Sequence, residues 1–314
     1  AAPISINVGG GVSNVTTLEW YTSPVISIGG NSAFAVAAGL VPGVNCATFT
    51  AACQFDVYSH GILGSFNPSA TGAGDGNLND TYQITFEFGF REAVTTASAP
   101  LGGPNVATFA FVSGAPNYFR MYYSAGGNNA NFLNGTGFTT GTLMLAGTLS
   151  PATTYVSGFT GNSTDIVDFD QFDTANWVGQ QSISGGGYSS TLNISVAPGT
   201  GGYLNPVYFP GIGSIDRFAL SGLGQTLPFS SIDPSKDFYW DSTGVGKTLG
   251  TRLNQNTLTT INNGINGADG TGTIFAIDTS SAISGTAIPE PTTLALIGLG
   301  VLGAGMSRHR RARG

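Results

Sequence analysis

Thr81-Tyr-Gln-Ile-Thr-Phe-Glu-Phe-Gly-Phe-Arg-Glu92 alternates without a break. Tyr82, Ile84, Phe86, Phe88 and Phe90 fall on one face, and Gln83, Thr85, Glu87 and Arg91 on the other. A chain extended in β geometry sends successive side chains to opposite faces, so this period of two predicts an antiparallel strand with one buried and one solvated face.

The same rhythm recurs outward in both directions. It appears at Ile4, Ile6 and Val8, at Phe119, Met121 and Tyr123, at Leu192, Ile194 and Val196, and around Thr273-Ile-Phe-Ala-Ile277. Shorter strands are expected at residues 16–21, 106–112, 141–148, 164–169 and 202–208. Turn chemistry separates them, at Gly29-Gly-Asn31, Gly126-Gly-Asn-Asn129, Ser184-Gly-Gly-Gly187 and Asn262-Asn-Gly264. Ten or more strands in this pattern predict an all-β, antiparallel two-sheet β-sandwich or jelly roll. Before the tail, only Leu249 to Ile261 offers a helical period, and no repeat of fixed length is visible.

Composition agrees with strands and turns. Charged residues are 9% of the 314, Gly numbers 48, and 41% are hydrophobic, enough apolar surface to offset chain entropy. The net charge of −7 is unevenly spread. Four of the 10 basic residues and one of the 17 acidic residues follow Thr286, leaving 6 basic and 16 acidic residues, a formal charge of −10, in the body. Such a body is repelled by phosphate backbones, so nucleic acid is not an expected partner. Cys46 and Cys53 lie in a Gly/Pro-initiated loop, the pattern of a local disulfide in an oxidising compartment. Ala1-Ala-Pro-Ile-Ser5 reads as what remains after a signal peptidase has cut beyond small residues, or as a start trimmed to that point.

The last 28 residues form three physically distinct parts. Pro289 and Pro291 bracket Glu290 and hold an extended peptide that cannot enter a helix. Thr292 to Met306 carries no charge, and as a helix it is apolar all round, with Leu294, Leu296, Ile297, Leu299, Val301 and Leu302. Its 15 residues reach roughly 22 Å, short of a hydrocarbon core of about 30 Å, which bilayer thinning and snorkelling arginines can accommodate. Arg308, Arg310, Arg311 and Arg313 then stay cytoplasmic by the positive-inside rule, with the body outside the inner membrane. The chain thus divides into a β-sandwich body, residues 1–286, and a tail, residues 287–314, ending in a hydrophobic helix.

This order of parts resembles the PEP-CTERM sorting signal: Pro289-Glu290-Pro291 matches its tripeptide, Leu294 to Gly305 its hydrophobic segment and Arg308 to Arg313 its basic end. The resemblance implies recognition by an exosortase, a membrane-embedded cysteine transpeptidase of Gram-negative bacteria that make exopolysaccharide. The precursor is then anchored in the inner membrane, the tail is removed near the motif, and the body reaches the cell surface or extracellular matrix. Parts of the body, residues 86–92, 117–149 and 169–196, resemble flocculation-associated PEP-CTERM proteins. The aromatic strand Tyr118 to Tyr123, Gly135-Thr-Gly-Phe-Thr-Thr-Gly-Thr-Leu143 and Asp170-Gln-Phe-Asp173 carry that likeness. It implies a role in cell aggregation within exopolysaccharide, through contacts with polysaccharide or identical neighbours.

Little in the body suggests catalysis. A Ser-His-Asp or Cys-His nucleophile needs an imidazole, and His60, read as a surface or strand-end residue in Tyr58-Ser-His-Gly-Ile62, has no nucleophile-elbow pattern around it. No enzyme activity and no cofactor are expected. The acidic run Asp165 to Asp173 is the exception. In an extended chain Asp168 and Asp170 share a face, with Asp173 just beyond, a set that can bind Ca²⁺ weakly, serve as a carboxylate pair for polysaccharide hydrolysis, or simply guard a strand edge. Tyr118, Tyr122, Trp177, Tyr203, Tyr208, Tyr239 and Trp240 are candidates for a sugar-stacking platform, with core packing as the alternative.

Overall fold

The structure, a computed structural model, describes residues 3–8, 11–46, 50–67, 77–99, 104–114, 116–132, 135–151, 157–168, 181–196, 202–225, 265–266 and 272–287. Its strands in chain order are β1 (Ile4–Val8), β2 (Gly11–Val15), β3 (Thr17–Trp20), β4 (Ser23–Ile28), β5 (Gln54–Asn67), β6 (Tyr82–Ser98), β7 (Asn105–Val112) and β8 (Tyr118–Ala125), followed by β9 (Thr142–Pro151), β10 (Ser157–Asp168), β11 (Gln181–Ser195), β12 (Tyr203–Leu204), β13 (Ile212–Gln225), β14 (Ile265–Asn266) and β15 (Gly272–Ala287). One α-helix, α1 (Gly30–Ala37), and one 3₁₀ turn at Ala51–Cys53 complete the described elements.

The all-β expectation holds, but the two-sheet sandwich does not. Apart from the β1–β2 hairpin, the strands form one sheet that closes on itself. Three pairs of short strands run end to end and act as single long ones. Along β6, Tyr82 to Gly89 pair with β8 and Arg91 to Ser98 with β7. Along β11, Gln181 to Ser189 pair with β10 and Leu192 to Ser195 with β9. Along β15, Gly272 to Ile277 pair with β4 and Ser280 to Ala282 with β3. Counting each pair once gives eight antiparallel positions in chain order, and β3 and β4 shut the ring by pairing with both β5 and β15. An eight-position barrel is just wide enough for side chains to fill, and closure removes the free edges that a sandwich must guard.

The interior is apolar. Phe86, Phe119 and Phe218 are each under 2% exposed. Phe119 on β8 meets Phe218 on β13 edge-on at 5.0 Å across the lumen, and Trp20 on β3 reaches past β5 to Phe86 on β6 at 4.7 Å, so neither contact follows the hydrogen-bonded ladder. Met121, Met144, Leu149, Leu192, Ile194 and Ile283 fill the remainder.

Both ends are covered. At one, α1 follows β4 and packs on β5, β6 and β15, placing Ala33 in the core. The helix went unread in the sequence because its eight residues, Gly-Asn-Ser-Ala-Phe-Ala-Val-Ala, carry barely two turns of period. At the other, the β1–β2 hairpin buries Ile4, Ile6, Val8 and Val15, and Asn7 ties it to the 203–209 segment by its backbone N–H to Tyr208 O (2.8 Å) and its Nδ2 to Val207 O (3.2 Å).

The expected disulfide is present, with Cys46 and Cys53 bonded and their Cα atoms 5.6 Å apart. It fastens the α1 end, where Cys53 is fully buried in the 3₁₀ turn that packs on the helix. In the chain-entropy picture a loop this short constrains the unfolded chain by about 2.5 kcal/mol. Urea unfolding with reductant should therefore move to a lower midpoint by that free energy. Coincident curves would mean the bridge does not hold this end.

β15 carries on to Ala287, opposite Ile212, one residue past the expected body boundary. The Leu249 to Ile261 segment and the chain from Ile288 onward lie outside the described residues.

Candidate functional site

The first half of β6, Tyr82 to Phe90, is buried on both faces. Gln83, Thr85 and Glu87, expected in solvent, are 3%, 1% and 0% exposed. The loop between β8 and β9 folds back over them: Ala130 N–H donates to Gln83 Oε1 at 2.7 Å, and Thr85 Oγ1 donates to Phe138 O at 2.7 Å. Ile62, Ala130 and Phe138 form a small apolar cluster of their own beneath it. Gly137 turns this loop with φ +86°, and a Cβ there would overlap the Asn129 carbonyl.

Under the loop, antiparallel register sets one row of side chains across three strands. His60 on β5 lies opposite Glu87 on β6, and Glu87 lies opposite Arg120 on β8. Arg120 Nη1 donates to Glu87 Oε1 at 3.0 Å and the Tyr122 hydroxyl donates to the same oxygen at 2.9 Å, while Oε2 has no hydrogen-bond partner among the described residues. Burial pushes the Glu87 carboxyl above its ordinary range, outweighing the downward pull of Arg120, Tyr122 and His60. The Tyr122 hydroxyl is pushed up as well, first by burial and then by Glu87. His60 is neither at the surface nor at a strand end: it is 1% exposed and stacks on Phe138 at 3.9 Å.

In the next row the gap above Gly89 is filled by rings. Tyr58 and Tyr118 both come within 3 Å of where a Cβ would stand, and the Arg120 guanidinium lies 4.8 Å from the centre of the Tyr118 ring. One row further, Arg91 grips Asp56 through two hydrogen bonds, 2.7 and 3.3 Å, which hold the guanidinium pKa up. The His-Glu-Tyr-Arg group has the chemistry of an acid/base site, and its carboxylate is bonded to Arg120 and Tyr122 of β8, while Gln83, Thr85 and the His60 ring tie the overlying loop to the same face. Sequence reasoning missed it because its members stand on three separate strands and only the register aligns them.

The other candidates divide. The aromatic platform does not assemble around Tyr122, which is buried, or Tyr118, which lies over Gly89; Tyr208 is half-buried and packs on Tyr123 at 5.0 Å, and Tyr203 is 44% exposed. Trp177, Tyr239 and Trp240 lie outside the described residues. Asp168 ends β10 opposite Gln181, while Asp170 and Asp173 are outside, and no cluster of metal-ligating residues occurs among the described residues. The motif residues Pro289, Glu290 and Pro291, the apolar segment and the arginines of the tail are likewise outside. Among the described residues no helix is long and apolar enough to cross a membrane.

Comparison with protein families places the PEP-CTERM protein-sorting motif at residues 287–311. The motif therefore starts at the last residue of the strand that closes the barrel, and it marks an exported chain with a membrane-anchored precursor that is processed by exosortase. No curated protein and no solved structure matches the chain.

Proposed function

We propose that this chain is a non-enzymatic, exosortase-sorted barrel that ends at the cell surface or in the extracellular matrix, where it contributes to exopolysaccharide-associated aggregation. The sorting motif abutting β15 is the observation that carries this reading. Three features of the body support it. The lumen is packed with aromatic and aliphatic side chains, the buried polar row lies beneath a loop, and only 9% of the chain is charged, which leaves a surface suited to weak, uncharged contacts. Weak contacts repeated over many tethered copies suffice for aggregation.

The test is intact-mass analysis of protein recovered from its native host, beside a variant with Pro289, Glu290 and Pro291 replaced by alanine. The wild-type chain should lose its C-terminal mass and the variant should keep Arg308 to Arg313. Cells carrying only the variant should aggregate less. Retention of the arginines in both proteins would sink the sorting half of the proposal, and equal aggregation with correct processing would sink the matrix half.

A further inference from the structure

The two ends of the barrel differ in what they expose and in what is attached to them. At the hairpin end, residues 3–8, 11–16, 202–215 and 283–287 contain no charged side chain. Val207 is 64% exposed and Tyr203 44%, Pro206 and Pro210 are exposed beside them, and Tyr208 is half-buried between. The hydrogen bonds from Asn7 to residues 207 and 208, and from Asn205 Nδ2 to Leu143 O, fix this rim on the hairpin and on β9. The same end is where β15 finishes, with Ala287 opposite Ile212.

Only four residues separate Ala287 from Thr292, where the apolar segment of the tail begins. Fully extended, the steps from Ala287 to Thr292 span about 17 Å. A membrane anchor beginning there cannot hold the barrel far from the bilayer, and it presents the hairpin end to it. Tyrosines with apolar bodies and polar tips, beside an exposed valine and no charge, are the side chains that the lipid–water interface favours.

We propose that the hairpin end of the barrel is a membrane-facing surface, seated in the lipid interface for as long as the tail anchors the chain. This rests on the anchored-precursor reading and adds to it an orientation and a contact. The patch is small, and alone it holds nothing. Tethering supplies the high effective concentration that makes a weak contact persist. Removal of the tail ends the tethering, so processing frees the same surface from the membrane, and one cleavage both cuts the anchor and releases the body.

The full chain, tail intact, tests this in vesicles of phosphatidylcholine, and again with phosphatidylglycerol added. Among the described residues no cysteine is free, so a single new thiol carries an environment-sensitive fluorophore. Val207→Cys and Tyr203→Cys report on the hairpin end. Leu40→Cys, at a 61% exposed position after α1, reports on the far end. Circular dichroism confirms that each variant folds. The expected result is flotation of all three with the vesicles, loss of most emission at 207 and 203 when the lipids carry nitroxide quenchers, and retention of emission at 40, with or without anionic lipid. Flotation with equal, unquenched emission at all three positions overturns the membrane-facing surface and leaves the anchor standing. Failure to float removes both.

Discussion

Phe119→Ala should cost about 3–5 kcal/mol of stability, the range for removing a buried phenylalanine ring. Against a typical domain stability of about 5–15 kcal/mol, that is a large fraction of the whole. The reason is position: the ring is fully buried on β8, stacks on Phe86 of β6 at 5.9 Å and meets Phe218 of β13 across the lumen at 5.0 Å. No neighbour on its own ladder can move into the space, because β6 and β9 are held in register beside it. Phe111→Ala is the control, since that half-buried ring at the edge of the core leaves a smaller void and should cost clearly less. Urea denaturation followed by circular dichroism reads both. Equal losses at the two positions would show that the lumen is not the stabilising core.

The class of fold was legible, and its closure was not. Alternation in Tyr82 to Phe90 reports that a strand has one apolar face, and that face looks the same in a sandwich, where it meets a second sheet, and in a barrel, where it meets the far wall. What separates the two is the pairing of β15 with β3 and β4, 244 to 265 residues apart in the chain, for which no local pattern exists. β5 lacks a legible alternation for a related reason. Its inward side chains run Phe55, Val57, Ser59, Gly61, Leu63, and the small members are there because Gly61 lies against the Phe86 ring and Ser23, a contact seen only in three dimensions. The polar face opposite Phe86 carries no sign in the sequence that loop residues 47 and 53 positions downstream cover Gln83 and Thr85. By contrast, the disulfide and the sorting motif were readable, since each is a property of consecutive residues.

The covered row beneath that loop gives the second large effect. Arg120→Met removes the cation and keeps much of the stem, leaving the Glu87 carboxylate, fully buried, with Tyr122 as its remaining donor. Breaking a buried ion pair from one side typically costs 3–5 kcal/mol; the Arg120 side chain keeps 35% of its surface in solvent, so the lower end, about 3 kcal/mol at pH 7, is expected. The pH dependence identifies the cause. Glu87 already titrates above its unfolded value, because burial outweighs its partners. Its contribution to stability is therefore fully present below the unfolded carboxyl pKa, about 4.3, and is lost as pH rises through the higher folded value. Removing Arg120 raises the folded value further and deepens that loss. The gap between Arg120→Met and wild type should thus close as pH falls from 7 to 4, where Glu87 takes up a proton in both. In a Glu87→Gln background the same Arg120 substitution should cost much less, since no buried charge is left behind. A gap of constant size from pH 7 to 4 would show that Arg120 matters here through its packing on Tyr118 and not through the buried carboxyl.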